Sequence, residues 1–397
     1  MSVRRSLVVG TVGLAALLAT QSTALATPPG GVPPGQAKKH VEVSADAPLR
    51  DLGSAIGLRI GTAVNTGLLG EDPAYTDIVN TQFNSVTPEN AMKWESVEPT
   101  KGTYTWADAD ELVTSAQRNG QLVRAHTLVW HSQLPQWLSK DTGATTTFSD
   151  QQVKDIVKKH IKDEAGRYKG RVWSWDVVNE AFNDDGTPRQ GIFYKAWGNS
   201  TDYIADAFRW AHEADPKAEL FYNDYNIEYT GPKSIAVYDL VEKLKAQHVP
   251  IDGVGFQTHL STQYGFPNLQ ETMQKFADLG LDVAETEVDV RTAVEAVDPA
   301  TDPATYTATP VDGLHQSTQE AYWDQTMKAC LFVQRCVSYT VWGVADSNSW
   351  IPGVFPGEGA ALLYDDALQP KRQYTVVQQD LALAAGAAPR RAGAGGR

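Results

Sequence analysis

The sequence predicts an α/β fold in which eight strand and helix units close into one β/α barrel. Between about residues 46 and 385, short apolar segments alternate with amphipathic stretches, and this pair occurs eight times. Strands that alternate with helices predict a parallel sheet, and eight units are the number that closes the TIM architecture. An open, doubly wound sheet is the alternative, but the sequence lacks the GxGxxG and GxxxxGK motifs typical of nucleotide-binding open sheets.

The strand candidates are short, bounded by turn residues and rich in β-branched or aromatic residues, as expected for strands buried on both faces. In chain order they cover residues 58–64, 83–87, 122–128, 172–178, 219–223, 254–257, 282–288 and 337–344. Between them, apolar residues recur near helical spacing. The clearest helix candidates cover residues 150–168, 202–214, 232–247 and 318–332.

The N-terminal segment, residues 1–26, has the pattern of a signal peptide. It contains Arg4 and Arg5, an apolar run over residues 7–18, and the small-residue cleavage site Ala24-Leu25-Ala26. The alternative is a membrane anchor, but the apolar run is shorter than the roughly 20 residues that a bilayer-spanning helix needs. We therefore expect a secreted, extracellular protein.

The rest of the chain divides by composition. Residues 27–45 are rich in Pro, Gly and Lys without a hydrophobic period, which predicts a linker. Residues 46–385 hold the predicted barrel as a single catalytic domain. Residues 386–397 are mostly Ala, Gly and Arg, which predicts a disordered tail. We expect the protein to be a monomer.

The charge of the chain argues against two classes of partner. Without the leader, which contains Arg4 and Arg5 but no acid, 32 basic residues face 48 acidic ones, a formal charge of -16. A field of this sign repels nucleic-acid phosphates and anionic membrane surfaces, whereas a neutral sugar polymer is indifferent to it. We therefore expect neither nucleic acid nor membrane as a partner, although the charge is also compatible with a role in solubility alone.

The two cysteines, Cys330 and Cys336, lie six residues apart. In an exported chain they predict one short disulfide, with free buried thiols as the alternative. Two cysteines do not make a zinc site, and the HExxH motif is absent from the sequence. We therefore expect no metal and no cofactor.

Polar and aromatic residues gather at the C-terminal ends of seven of the eight predicted strands, where a barrel of this type places its active site. A purely structural role would scatter them instead. The candidate site residues are Glu89, Asn90, Lys93, His126, Trp130, Gln133, Asn179, Glu180, Tyr225, Gln257, His259, Glu287, Asp289, Trp342 and Trp350.

Two of these residues, Glu180 and Glu287, fit the chemistry of glycosidic bond cleavage. That reaction needs an acid for the leaving oxygen and a second carboxylate at the anomeric carbon. The two glutamates are 107 residues apart, but a closed barrel brings the ends of strands four and seven together. Aromatic residues such as Trp130 and Trp342 supply flat surfaces for sugar rings.

Period-two geometry predicts that Glu285, Glu287 and Asp289 share one face of strand seven, toward the barrel or its mouth. His259, at the end of the preceding strand, is expected to bridge Glu287 and Asp289 and to keep the former ionised. An ionised Glu287 is in turn expected to hold Glu180 protonated until the first chemical step removes that charge.

Seven motifs in this order resemble those of glycoside hydrolase family 10, over about residues 46 to 385. They are VTPENAMKW from Val86, HTLVWHSQ from His126, WDVVNEA from Trp175, YNDYN from Tyr222, GFQTH from Gly255, TEVD from Thr286 and VWGVAD from Val341. Members of this family are mainly endo-1,4-β-xylanases with an eight-fold β/α barrel. The resemblance implies retaining hydrolysis of internal bonds in xylan, with xylan and xylo-oligosaccharides as ligands.

The resemblance also implies a role for each candidate residue. Glu180 corresponds to the acid/base and Glu287 to the nucleophile, and Tyr225 falls on the leaving-group side. The residues implied around the cleaved sugar are His126, Asn179, Gln257 and His259, with Asp289 behind them. Those implied around the next sugar on the non-reducing side are Glu89, Asn90, Lys93, Trp130, Gln133, Trp342 and Trp350.

Some positions depart from the family pattern. Glu285 replaces an aliphatic residue, which puts a carboxylate one layer below the nucleophile and predicts an effect on its pKa. Residues 291–317 form a longer segment, expected to be a loop that shapes the leaving-group half of the cleft. Phe221 and Gly253 occupy the positions of a second disulfide found in some relatives, while Cys330 and Cys336 match the other one.

Two other functions remain open at this point. A related barrel hydrolase that cleaves β-1,4-glucan or a mixed glycan shares the paired glutamates of strands four and seven. Glu89 and Lys93 beside sugar hydroxyls do not by themselves exclude glucose, so the distinction depends on crowding near C6 by Trp342 and Trp350. A binding protein that kept the cleft but lost turnover is the other alternative.

Overall fold

A computed structural model describes residues 43–141, 143–298 and 302–387. The predicted leader, residues 1–26, lies outside the described residues. So do all but the last three residues of the predicted linker, 27–45, and all but the first two of the predicted tail, 386–397. The described helices include none that is both long enough and apolar enough to cross a bilayer.

Within these ranges, eight parallel strands close into a barrel, so the predicted fold is confirmed. The barrel strands are β1 (Arg59–Val64), β2 (Ser85–Pro88), β3 (Leu122–Trp130), β4 (Ser174–Asn179), β5 (Glu219–Asp224), β6 (Gly253–Phe256), β8 (Asp282–Asp298) and β10 (Cys336–Val341). Each pairs with the next in this order, and β10 closes the barrel by pairing with both β8 and β1. Three further strands pair with β8: β7 (His259–Ser261), β9 (Asp302–Pro310) and β11 (Glu358–Gly359).

Helices separate the barrel strands along the chain. The described helices are α1 (Leu49–Ile56), α2 (Pro73–Gln82), α3 (Trp94–Val97), α4 (Ala107–Arg118), α5 (Asp150–Arg167), α6 (Ile192–Ala196), α7 (Asp202–Ala214), α8 (Pro232–Ala246), α9 (Leu269–Asp278), α10 (Gly313–Phe332), α11 (Ile351–Val354) and α12 (Arg372–Ala384), with a short 3-10 helix at Asp346–Asn348. Local sequence explains where the long ones begin. A capping box between Ser149 and Gln152 starts α5, and Pro232 occupies the first turn of α8.

The segment predicted as a loop, residues 291–317, contains a β-hairpin and the start of a helix instead. Strand β8 continues beyond the barrel to Asp298 and pairs antiparallel with β9. Helix α10 begins at Gly313, five residues before the predicted start, because the side chain of Asp312 accepts a hydrogen bond from the backbone N–H of His315. β-Branched residues such as Val294, Thr307 and Thr309 in this segment are consistent with strand pairing.

The prediction that Glu285 lies beneath Glu287 on the inner face of the barrel is wrong. A bulge places four residues of β8, Glu285 to Val288, opposite three residues of β10, Tyr339 to Val341, and this breaks the period-two alternation. Glu285 is in register with Phe256 and Tyr339. The ring of Phe256 packs on Phe276 of α9, and the hydroxyl of Tyr339 lies 2.9 Å from that of Thr326 on α10. Glu285 therefore faces the helices.

The cysteine prediction is confirmed, since a disulfide joins Cys330 of α10 to Cys336 at the start of β10. The positions of the second disulfide of some relatives, Phe221 and Gly253, are register partners on β5 and β6. The Phe221 ring occupies the space above the glycine, because a Cβ built on Gly253 would lie 2.3 Å from that ring. An aromatic ring thus fills the space between these strands.

Candidate active site

One cleft at the C-terminal ends of the barrel strands brings the predicted site residues together. Its cavity measures about 740 Å³, and every predicted site residue except Asp289 lines it. Asp289 is fully buried behind His259, with which it forms a hydrogen bond. The structure adds six lining residues that the sequence prediction did not include: Asn226, Tyr229, Ser261, Tyr264, Arg291 and Phe355.

The Glu287 carboxylate lies in a pocket of donors and positive charge. Its Oε1 accepts a hydrogen bond of 2.7 Å from Nδ2 of Asn223, and its Oε2 lies 3.3 Å from Nε2 of His259. Arg124 is 4.0 Å from Oε1. Burial opposes ionisation, but the His259 hydrogen bond and the charges of His126, His259 and Arg124 outweigh it and lower the pKa of Glu287 to about 2.

His259 connects Glu287 to the buried Asp289. Its Nδ1 lies 2.9 Å from Oδ2 of Asp289, and the same oxygen accepts a hydrogen bond of 2.9 Å from Nε1 of Trp350. Burial lowers the pKa of His259, but the charge and hydrogen bond of Asp289, followed by those of Glu287, raise it to about 10. Both ring nitrogens therefore carry protons and donate to the two carboxylates.

Glu180 follows β4 directly and has a different environment. Its Oε2 accepts a hydrogen bond of 2.9 Å from Nε1 of Trp130, and its Oε1 accepts from Nε2 of Gln257 at 3.0 Å and Nδ2 of Asn179 at 3.2 Å. These donors are neutral. The residue has a φ of 55°, in the left-handed region that residues with a side chain seldom adopt. The strained backbone directs the side chain into the cleft.

A chain of amide side chains joins the two glutamates. Asn179 donates to Glu180 and accepts a hydrogen bond of 2.9 Å from Asn223, which also donates to Glu287. Asn223 is fully buried, and its Oδ1 accepts from the Thr286 hydroxyl at 2.7 Å. Its functional importance was not predicted. The sequence feature that could have indicated a role for Asn223 is its place in the Asn-Asp-Tyr-Asn cluster at the end of β5.

A buried ionic group lies beneath the cleft floor. Asp176 is paired with Arg124, and its Oδ2 lies 2.8 Å from Nδ1 of His126. Arg124 also donates to the backbone carbonyl of Thr286 at 3.1 Å. Since these residues come from three different strands, their contacts hold the floor of the cleft in one arrangement.

The half of the cleft around Glu89 and Lys93 is built from interlocked polar side chains. Nζ of Lys93 donates to Oδ1 of Asn90 at 3.0 Å, and Nε2 of Gln133 lies 3.2 Å from the same oxygen. Gln133 is also held by Oε1 of Glu95 at 2.9 Å, a partner that the sequence prediction missed. Burial is the main reason that the pKa of Lys93 is lowered and that of Glu89 is raised.

Two tryptophans form a wall of the cleft next to the candidate nucleophile. The Trp342 ring lies edge-on to His126 with centroids 5.3 Å apart, and the Trp350 ring has the same relation to His259 at 5.0 Å. Only 8% of Trp342 is exposed. Because Nε1 of Trp350 and Nδ1 of His259 share the same Asp289 oxygen, this part of the wall is tied to the His259 bridge.

Tyr225 lines the cleft, and its ring lies against a buried cation. Nζ of Lys233 lies 3.3 Å from the ring centroid and 2.9 Å from Oδ1 of Asp224. Burial raises the pKa of Asp224 to about 7 despite the opposing effect of Lys233. The Tyr225 hydroxyl accepts a hydrogen bond of 2.7 Å from Nη2 of Arg189, a residue that the sequence prediction also missed.

Comparisons with known proteins agree with this geometry. The family model described as "Glycosyl hydrolase family 10" matches residues 48–380. An endo-1,4-β-xylanase of Agaricus bisporus is 41% identical over 315 residues, which cover 79% of this chain and 88% of the relative. An endo-1,4-β-xylanase 2 of Aureobasidium pullulans is 42% identical over 331 residues, covering 80% and 85%.

Solved structures show the same architecture. Native xylanase 10B of Thermotoga maritima matches with a TM-score of 0.76 and 36% identity, over 86% of this chain and 99% of the other. Xylanase 10B of Thermotoga petrophila, solved in complex with xylobiose, matches with the same TM-score and identity over 86% and 98%. Since the family model, the relatives and the fold all agree over most of its length, this chain belongs to glycosyl hydrolase family 10.

Proposed function

We propose that this protein is a secreted endo-1,4-β-xylanase that hydrolyses internal β-1,4-xylosidic bonds with net retention. The observation that carries the proposal is the pair of glutamates in one cleft, joined by an amide chain but surrounded by different groups. Glu287 is held ionised by His259 and Arg124, while Glu180 has neutral donors around it. Retaining glycosidases need this division of roles between two carboxyl groups.

In the first step, the Glu287 carboxylate attacks the anomeric carbon and forms an ester bond with the sugar. The glycosidic C–O bond breaks, and its electron pair stays on the leaving oxygen, which takes the proton of Glu180. Asn223 keeps Oε1 of Glu287 oriented, and His259 contacts Oε2. The leaving sugar is assigned to the part of the cleft that Tyr225 lines.

In the second step, the Glu180 carboxylate removes a proton from a water molecule. The water oxygen attacks the anomeric carbon, the ester bond breaks, and Glu287 is regenerated as a carboxylate. Two displacements at one carbon return the original configuration. This scheme requires the carboxyl groups to be about 5 to 5.5 Å apart, because an inverting enzyme needs a wider gap that also holds water.

The preference for xylose over glucose is assigned to the Trp342 and Trp350 wall. Xylose lacks the hydroxymethyl group that glucose carries at C5. Trp342 is nearly buried and Trp350 is fixed by Asp289, so neither can move aside at low cost to admit that group. The names of the relatives and the xylobiose complex of the Thermotoga petrophila enzyme support this substrate class.

Hydrolysis of xylan and of carboxymethylcellulose, measured side by side as released reducing sugar, tests the proposal. We expect the wild type to act on xylan and to leave the cellulose derivative nearly intact. Glu287→Ala should abolish turnover, and Glu180→Ala should lower the rate on xylan by about 10²- to 10⁴-fold. A preference for cellulose would identify a β-1,4-glucanase, and full activity of Glu287→Ala would overturn the mechanism. Xylan binding without any turnover by the wild type would indicate a binding protein.

A further inference from the structure

The segment between β4 and α6 folds back on itself and brings one guanidinium group to the junction of two functional regions. Phe182 and Pro188 form an antiparallel bridge, and the Arg189 N–H donates to the Ala181 carbonyl at 2.9 Å. Nε of Arg189 donates to the backbone carbonyl of Glu180 at 2.9 Å, and Nη2 donates to the Tyr225 hydroxyl at 2.7 Å. Arg189 therefore contacts both the backbone of Glu180 and the ring on the leaving-group side.

The backbone of Glu180 depends on tethers of this kind. Its φ of 55° is strained for a residue with a side chain, and such conformations persist only where the surroundings fix them. The Glu180 N–H donates to the Asn223 carbonyl at 2.9 Å, and the Glu180 carbonyl accepts from Arg189. Both peptide groups that flank the Glu180 Cα are thereby fixed, and they set the direction of its carboxyl group.

Tyr225 is held from two sides. The Lys233 ammonium lies under its ring at 3.3 Å from the centroid, and Arg189 holds its hydroxyl. Lys233 is almost fully buried and is itself fixed by the ion pair with Asp224. The ring cannot tilt without breaking a hydrogen bond to the same guanidinium group that holds Glu180.

We propose that Arg189 is a positioning residue that couples the leaving-group side of the cleft to the general acid. It makes Tyr225 and Glu180 one rigid unit, so a sugar bound on Tyr225 has its glycosidic oxygen aligned with the Glu180 proton. The inference rests on the proposed function. It differs from a simple role in loop stability because it predicts an effect that depends on the leaving group.

Aryl β-xylobiosides with different leaving groups provide the test. Dinitrophenolate departs without protonation, whereas phenolate needs a proton from the general acid. For Arg189→Met, which keeps the aliphatic stem but has no donors, we expect kcat/KM to fall about 10²-fold on the phenyl substrate. We expect a change of less than about threefold on the dinitrophenyl substrate, because general acid catalysis is not required there.

Two further variants serve as controls. Arg209→Met removes an exposed arginine of α7 that is paired with Asp206, and it should leave both rates unchanged. Tyr225→Phe removes only the hydroxyl, so it should reproduce part of the Arg189→Met loss on the phenyl substrate. Thermal unfolding of each variant shows whether lost activity follows lost stability.

Equal losses on both substrates would overturn the inference, as would a loss that follows the fall in Tm. An error in the proposed function would give a different experimental result. If it is wrong, the wild type itself will not hydrolyse xylan or the xylobiosides, whatever residue stands at position 189.

Discussion

Two glutamates of the same strand, Glu285 and Glu287, are both buried, yet their pKa values are shifted in opposite directions. Glu287 is 4% exposed and has its pKa lowered to about 2, whereas Glu285 is fully buried and has a pKa well above the ordinary value. The bulge in β8 turns Glu287 toward the cleft and Glu285 toward the helices. Burial alone therefore does not decide the charge of a carboxyl group on this strand.

The partners of the two carboxyl groups explain the difference. Glu287 has Asn223 and His259 as donors and Arg124 nearby. Neither oxygen of Glu285 has a well-formed hydrogen bond with any residue that the structure describes. Burial and the charge of Glu228 raise the pKa of Glu285, and the backbone of Cys330 lowers it by less. A charge is kept where donors and cations offset its desolvation.

Removing the cation beside Glu287 should have the largest effect on this contrast. His259→Asn keeps a neutral N–H donor but loses the imidazolium charge, so the pKa of Glu287 should rise. We expect the acidic limb of kcat/KM against pH to move upward by about 1 to 3 units. Near neutral pH, kcat/KM should fall by about 10- to 150-fold, the equivalent of one hydrogen bond to a charged group.

The matched control is His248→Asn, which changes an exposed histidine whose φ of 53° asparagine adopts readily. It should leave the pH profile unchanged. If His259→Asn keeps its acidic limb at the wild-type position, then His259 does not hold Glu287 ionised, and the contrast with Glu285 has another cause.

Changing Glu285 should have a smaller effect, and on stability rather than on activity. Its folded pKa is raised above the unfolded value, so its contribution to stability is full below about pH 4.3 and is lost as the pH rises toward the folded pKa. Glu285→Ile should therefore raise the free energy of unfolding at pH 7 by about 1–3 kcal/mol. The acidic limb of kcat/KM should coincide with that of the wild type, since this carboxyl group faces the helices.

Glu285→Gln separates titration from polarity in the same experiment. It keeps a buried polar group but cannot ionise, so its stability relative to the wild type should increase from pH 5 to pH 8, as measured by thermal unfolding. If the stability of the wild type does not fall relative to that of Glu285→Gln between pH 5 and pH 8, then Glu285 is not protonated in the fold.

The barrel could be predicted because its signal is local and repeated. Eight short apolar segments, each followed by a helical pattern, predict parallel strands even if the exact ends of each strand are uncertain by a residue or two. Glu180 and Glu287 could be chosen as site residues because they lie at the ends of two of these strands. The bulge near Glu285 was not predictable in this way. It depends on the register between β8 and β10, which lie far apart along the chain, and period-two counting assumes that no residue is inserted.

Two of the residues that were not predicted, Asn223 and Arg189, share one property. Each acts by bonding to another functional group: Asn223 to Glu287, and Arg189 to the backbone of Glu180 and the hydroxyl of Tyr225. Sequence reasoning finds residue types that suit a chemistry, but such bridging contacts become visible only in three dimensions. The hairpin of β8 and β9 was missed for a different reason, since its Thr and Pro content is also typical of loops.

The assignment of Glu287 as nucleophile can be tested by trapping the covalent intermediate. A 2-deoxy-2-fluoroxylobioside with a dinitrophenyl leaving group should glycosylate the wild type and then turn over slowly, because the fluorine destabilises the oxocarbenium-like transition states. We expect mass spectrometry to show one added fluoroxylobiosyl group, carried by the peptide that contains Glu287. A label on any other residue, or hydrolysis of unmodified substrate with inversion at the anomeric carbon, would contradict this account.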